Sequence, residues 1–408
     1  MALEFVKLIK GKDVFSQVGN LGFFKLGVES GGGDNSVVTY GVKIDLANSN
    51  PETSVTYTDD AVGFNKSYMD FANDKFEYGS WADKFPFNQI KPCILKNGVV
   101  TTYLNPNNYA EDVDGNPVDI TTKCDGDVMI EIPKIYYYLH KDENYQYIQI
   151  SNTKVNDNFC CLAHTYRGVE KDKVYIGAYQ SYYDGYKSRS WSGVSATGSM
   201  KFFAWRVASK VHGNGYEVFY WNLLVLLQCL YLIQFKNLNS QEALGYGWND
   251  ASDFSIGGGL NQKGLYYGTS TNGQMKFMGI EDFYGSRSSY IDGAYINGTS
   301  LTVADVTSPD MEFSGTGVGY KTVATGLTTT YGYFTKILGD NNSGFCPQGF
   351  SGSETTYYSD LGQVSSNKIA YWGSTRTSKG YGGAFSLSFG LNDDTVAATR
   401  GARLAYCG

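Results

Sequence analysis

Residues 367–408 read NKIAYWGSTRTSKGYGGAFSLSFGLNDDTVAATRGARLAYCG, and their spacing decides the architecture. Phe385, Leu387, Phe389 and Leu391 fall on one side of an alternating run, with Ala384, Ser386, Ser388 and Gly390 on the other. A period of two is the pattern of a half-buried β-strand. Ahead of it, Tyr371, Trp372, Ser374, Arg376, Lys379 and Tyr381 are strung on a loop of Gly, Ser and Thr. Behind it, Asn392, Asp393 and Asp394 make a polar turn before a closing strand at 402–406. The stretch separates into an apolar strand pair and two polar or aromatic loops.

The rest of the 408-residue chain has the same texture. Its 49 glycines follow no fixed period, which argues for many tight turns rather than a fibrous repeat. A hydrophobic fraction of 42% supports a packed core. The net charge of −7 and the lack of any Lys/Arg block argue against a nucleic-acid partner, which needs a clustered basic face. Cys93, Cys124, Cys160, Cys161, Cys229, Cys346 and Cys407 are odd in number and irregularly spaced, with no CxxC pair. They read as free, buried thiols of a protein folded in a reducing cytoplasm. The opening MALEFVKLIKGKDVF has no signal-peptide core. The most apolar run, 223–235, contains Gln228 and Gln234 and falls short of the roughly twenty residues a membrane span needs. A buried helix is expected there, with no membrane insertion.

Three regions follow along the chain. Residues 1–52 read as a β-rich leader, with strand-like content at 15–26 and 37–46 around a Gly-rich link, ESGGGDNS, at 29–36. Residues 53–155 read as short strands, with Asn97-Gly98 as a two-residue hairpin turn. Asp125-Gly126 is a second such turn, and VMIEIPKIYYYL at 128–139 is a strand broken or held to an edge by Pro133. In 156–408, a helix over 200–211 follows Ser199 as N-cap and ends before Gly213, with Phe203, Val207 and Val211 on one face. A second, over 216–235, is apolar all round, and Ser240 caps a short third. The fold class expected is α+β, two main helices packed on antiparallel sheets.

Several pieces carry a family likeness: IEIPKIY (130–136), VYIGAY (174–179), YDGYKSRS (183–190), the helix from Trp221 with its following SQEALG, MGIEDFYG (278–285), and the closing GYGGAFS and RGARLAY. Together they resemble the C-type lectin fold in its formylglycine-generating-enzyme-like branch. That branch includes phage tail receptor-binding proteins and the variable proteins of diversity-generating retroelements. The likeness covers residues 55–408 and leaves the first fifty uncovered.

The resemblance implies a C-type-lectin-like domain in a virion protein of the tail tip or fibre, one that adheres to a host cell-surface receptor, protein or glycan, without turnover. The contact residues it points to are Tyr357, Tyr358, Ser359, Tyr371, Trp372, Ser374, Arg376, Lys379, Tyr381, Asn392 and Asp393. Diversified members vary such exposed positions over a fixed scaffold. The leader would dock on other tail proteins and assemble a homotrimer. Physical chemistry favours the same set: Tyr and Trp give large contact area for few rotatable bonds, Ser and Asn give adaptable hydrogen bonds, and Arg joins the aromatics at binding hot spots.

Signals for chemistry are sparse. His140, His164 and His212 sit in different segments without a metal or catalytic spacing, and His212 suits a helix C-terminus. Trp248-Asn249-Asp250 matches the WND tripeptide of calcium-dependent lectins, but no EPN or QPD accompanies it, so a loop cap is expected. Asp112, Asp114 and Asn116 begin like an EF-hand, yet Gly115 comes early and Lys123 stands where the closing Glu belongs. Cys346 and Cys407 lack the spacing of the family's oxidase pair. No cofactor, metal or catalytic residue is expected. Glu281, Asp282, Asp340, Asp393 and Asp394 are the carboxylates that a tail-associated glycan depolymerase, the alternative reading, would have to bring within about 5–9 Å. A purely structural tail protein is the third.

Overall fold

The computed structural model describes Phe15–Gln17, Phe23–Lys25 and residues 36–314 and 318–408. The chain forms two compact units, Met1–Val37 and Val38–Gly408. In the first, Phe15–Gln17 and Phe23–Lys25 pair antiparallel, Phe15 opposite Lys25. The Gly-rich link at 29–35 lies outside the described residues.

Three sheets organise the second unit. A seven-stranded antiparallel sheet has the order Tyr216–Val218, Leu404–Tyr406, Lys173–Gly177, Asp127–Pro133, Lys91–Lys96, Val99–Asn105, Asn108–Asp112. Asn97 and Gly98 both take left-handed backbone, φ 51° and 77°, which gives the twist a two-residue hairpin requires. A four-stranded sheet runs Tyr136–Lys141, Tyr145–Ser151, Thr39–Asp45, Val55–Asp59. The run around Pro133 does break: Asp127–Pro133 ends in one sheet and Tyr136–Lys141 starts the other. The third sheet is eight-stranded. Its order is Tyr320–Ala324, Ser300–Ala304, Ser288–Asn297, Lys368–Trp372, Leu387–Leu391, Leu361–Val364, Thr330–Tyr333, and Arg400–Gly401 pairs parallel with the start of Ser288–Asn297.

Helix α1 is Phe202–Lys210, α2 is Trp221–Phe235 and α3 is the single turn Ser240–Ala243. Every residue of α2 is buried, as its uniform apolarity requires, because it packs on strands of both the four-stranded and the eight-stranded sheet. Each of its leucines, fully withdrawn from water, contributes about 1.5–3 kcal/mol. Lys236 ends the helix in a left-handed conformation, φ 49°. No helix among the described residues is long and apolar enough to cross a membrane.

The fold class expected from sequence is corrected. The protein is mostly β-sheet, 36% strand against 10% helix in three helices, and is not an α+β fold with two main helices packed on sheets. Residues 216–218, expected to open the second helix, are instead a strand at one edge of the seven-stranded sheet. Helix α1 is only nine residues long, its N-cap is Lys201, and Ser199 takes φ 59° outside it. The face shared by Phe203 and Val207 is the exposed one, while Phe202, Trp205 and Arg206 are buried. Asn239 rather than Ser240 caps α3, accepting from Glu242 N–H. The boundary drawn at 52 falls between two strands of the four-stranded sheet, and the one at 155 lies inside the same compact unit.

A tyrosine-rich candidate recognition surface

Strand register in the eight-stranded sheet sets two adjacent rows with opposite fates. Val364, Phe389, Ala370 and Ile291 are cross-strand neighbours, all buried. One residue along, Tyr331, Gln363, Ser388, Tyr371 and Tyr290 form the next row, which points to the other side because side chains alternate along a strand. Tyr290 is covered by Phe202 of α1, stacked at 4.8 Å. Towards the sheet edge the row opens: Tyr371 is half-buried and Tyr331 is 60% exposed. The Tyr371 hydroxyl donates to Gln363 Oε1 at 3.3 Å, and the Arg400 guanidinium lies 4.6 Å from the Tyr371 ring centroid. Gly390 carries no side chain where a Cβ would stand 2.3 Å from Gln363 Oε1, so the glutamine lies flat across the strand.

The loop between Lys368–Trp372 and Leu387–Leu391 adds to this surface, and buried polar groups fix its base. Asn249, fully buried, donates from Nδ2 to the carbonyls of Tyr246 (2.6 Å) and Gly382 (2.8 Å), and its Oδ1 accepts from Ser374 Oγ at 2.8 Å. Its own carbonyl accepts the Lys379 N–H at 2.7 Å. This is the role of the WND tripeptide here: a bracket between two loops. Deeper in, Ala384 O accepts from Trp372 Nε1 (2.9 Å) and Gln228 Nε2 (3.0 Å), Ala384 N–H donates to Ser240 Oγ, and Phe385 N–H donates to Asp360 at 2.8 Å. Burial pushes the Asp360 carboxyl up to about 8.

Of the predicted contact residues, Tyr357, Tyr371, Arg376 and Tyr381 are half-buried, and Lys379, Asn392 and Asp393 are exposed. Four others are corrected. Trp372 is core, packed against Phe283 at 4.5 Å and Phe219 at 5.8 Å. Tyr358 stacks on Phe334 beside Phe385, Ser374 is the partner of Asn249, and Ser359 is buried next to Asp360. Asn392 and Asp393 are not at the open, Tyr331 end of the row; Asp393 lies by the covered Tyr290. They follow Leu391 at the far end of the strand, where Phe202 N–H donates to Asp393 O and Arg206 pairs with Asp393 at 3.5 Å.

Sequence reasoning missed Tyr331, Tyr333 and Tyr246. Tyr331 and Tyr333 stand two apart on the edge strand Thr330–Tyr333 and so share a face, a spacing visible in TYGY. Burial raises the Tyr331 phenol, followed by its neighbours Tyr381 and Tyr371. Burial and then Glu354 push Tyr333 up to about 12, and Tyr246 is raised by burial, Asp250, Glu354 and Tyr381. At neutral pH the cluster is uncharged phenol, able to donate and accept.

Of the candidate carboxylates, Glu281 Oε1 and Asp282 Oδ2 stand side by side, both accepting from Gln274 Nε2, at 2.9 and 3.0 Å. Glu281 and Asp282 are buried, with Glu281 accepting the N–H groups of Gly258 (2.7 Å) and Leu260 (2.9 Å). Arg403 Nη2 donates to the carbonyls of both, tying MGIEDFYG to RGARLAY. Asp340 accepts the N–H groups of its own turn, and Asp393 engages Arg206. Burial holds His164 and His212 neutral, down to about 4 each. No set of three or more His, Cys, Asp or Glu placed to hold a metal occurs among the described residues. No family model matches the sequence, and no curated protein matches it at significance.

Proposed function

We propose that this is an adhesion protein, a phage tail receptor-binding protein whose contact surface is the open face of the eight-stranded sheet together with the loop above it. The single observation that carries the reading is the cross-strand row Tyr331–Gln363–Ser388–Tyr371, flanked by Tyr333 and Tyr381. Phenols, an amide and hydroxyls on a rigid sheet provide contact area at little entropic cost and no group poised for bond cleavage. The assignment to a tail rests on the resemblance of MGIEDFYG and RGARLAY to that family. Copies held together as a trimer would turn weak single contacts into firm attachment.

The test uses fluorescently labelled protein on a panel of bacterial cell types. Wild type should bind some of them without releasing sugar, and the double variant Tyr331→Ala/Tyr371→Ala should lose at least tenfold in binding with its melting temperature held. Soluble oligosaccharide appearing in the supernatant would favour the depolymerase, and unchanged attachment by the double variant would refute this surface.

A further inference from the structure

One ring beside the surface carries two positive charges. The Arg287 guanidinium lies 3.4 Å from the centroid of Phe254, and that of Arg376 lies 4.7 Å from it. Arg287 spends one N–H, Nε to Ala196 O at 2.9 Å, and Arg376 also one, Nη1 to Ala251 O at 2.9 Å. Among the described residues neither has a carboxylate in ion-pair reach, although the chain holds 40 acidic residues. Two other arginines are matched, buried Arg206 forking onto Asp292 at 2.7 and 3.1 Å and half-buried Arg189 bonding Asp184 and Asp127, while buried Arg403 is held by carbonyls alone. Arg287 is 8% exposed, and burial, then the Arg376 charge, lowers it to about 10.

Arg400 is a third arginine with no carboxylate in ion-pair reach among the described residues, its Nη1 donating to Thr399 O and Oγ1 at 3.3 Å. Arg400 lies over Tyr371 and donates to Ser288 Oγ at 3.1 Å, while Ser288 Oγ donates to Ser374 O at 2.9 Å, two residues before Arg376. Gly401, its neighbour, is where a Cβ would stand 3.4 Å from Arg287 Cδ. Arg400 therefore joins the arginine pair to the tyrosine row. Arg287 is buried and Arg376 and Arg400 are half-buried. Like charges held near one another without counter-charge cost free energy that an anion would relieve, and guanidinium forks match the two oxygens of a carboxylate or sulfate.

We propose that Arg376 and Arg287, with Arg400 beside them, form a subsite for the anionic group of an acidic glycan whose sugar rings lie on the tyrosine row. The inference rests on the recognition reading given above. A glycan fits better than a peptide because the row between Tyr331 and Tyr371 offers phenols, an amide and a hydroxyl, and no aliphatic side chain.

The experiment measures equilibrium binding of the full-length protein to three polymers of matched length at physiological salt: dextran, dextran sulfate and polygalacturonate. At least one charged polymer should bind tenfold or more tighter than dextran. Retention of polygalacturonate alone assigns a carboxylate ligand, and of dextran sulfate alone a sulfate. Arg376→Gln should erase that preference with an unchanged melting temperature, and Arg376→Lys should restore only part of it, since an ammonium cannot fork. Arg400→Gln should weaken binding at least threefold. Lys123→Gln, which removes one exposed charge elsewhere, should change binding less than twofold. Equal affinity for all three polymers, an unaffected Arg376→Gln, or an equal loss in Lys123→Gln would overturn the subsite. Cell attachment that needs Tyr331 and Tyr371 but ignores Arg376 would remove the subsite and leave the recognition surface. Polymer binding through Arg376 with attachment indifferent to the tyrosines would do the reverse.

Discussion

Tyr371 and Trp372 are consecutive on one strand, and their substitution by alanine should separate recognition from stability. Trp372 is about 1% exposed, packs on Phe219 and Phe283 and donates to Ala384 O. Truncating a buried Trp costs about 3–5 kcal/mol, and the lost hydrogen bond keeps the figure near the top of that range because Ala384 O retains only Gln228. Unfolding entropy of about 2.1 cal/mol/K per residue over residues 38–408 comes to ~0.8 kcal/mol/K. A loss of ~4.5 kcal/mol then lowers the melting temperature by ~6 °C. Tyr371→Ala gives up one 3.3 Å hydrogen bond and a cation–π contact, about 1 kcal/mol in total, and so ~1 °C. Calorimetry and cell binding on the same preparations should show Trp372→Ala melting early and Tyr371→Ala melting normally but binding poorly. If Tyr371→Ala melts as early as Trp372→Ala, or Trp372→Ala melts as wild type, the assignment of faces in this sheet is wrong.

The remaining expectations concern charge, thiols and the leader. Asp360 keeps its proton up to about pH 8 in the folded protein but releases it near about pH 3.9 when unfolded, so the native state binds more protons across that window and stability falls as pH rises through it. Asp360→Asn should flatten this part of the slope in urea unfolding at about pH 5 and about pH 8.5, while Glu217, raised to about 7 by burial, keeps a slope of the same sign. All seven cysteines are free and six are buried, with Cys160 half-buried and raised to about 12, so a disulfide-exchange reagent should react within minutes only after unfolding. Fast labelling of the native protein would contradict this packing. Deleting residues 1–37 should leave a folded protein that light scattering finds monomeric, whereas deleting 1–50 should unfold part of it, because Thr39–Asp45 is an inner strand between Tyr145–Ser151 and Val55–Asp59. A trimer surviving the shorter deletion would exclude the leader as the assembly element.

Features that a few adjacent residues determine were legible in the sequence. The Asn97-Gly98 hairpin and the buried α2 follow from local backbone preference and uniform apolarity. The fold class was not legible, because many strands here run only two to five residues and exist through pairing with distant segments, as Leu404–Tyr406 does between Lys173–Gly177 and Tyr216–Val218. Two conspicuous helical patterns therefore weighed more in the sequence than in the structure. At the site, Tyr371 and Trp372 read as the start of a loop, and that hid the alternation that places Tyr371 out and Trp372 in on the strand Lys368–Trp372. The separation of Asn392 from Tyr381 was available in principle. Loops before and after one strand sit at its opposite ends, here about 13 Å apart for five residues.

Several members of the predicted set shape the backbone of their loops. Tyr357, Ser359, Ser374 and Lys379 all hold positive φ, between 51° and 63°, a conformation that costs a non-glycine residue free energy and persists only where the surroundings enforce it. Asn249 enforces it at two of these positions, through the Ser374 hydroxyl and the Lys379 N–H. The conformation is thus specified from beneath, by the buried side chains of Asn249 and Ser374. Exposed side chains on such a loop can change without altering its path, within the limit that position 379 keeps a residue tolerant of left-handed backbone. A change at Asn249 or Ser374 would instead release the loop and raise the entropy lost on binding, weakening every contact it makes.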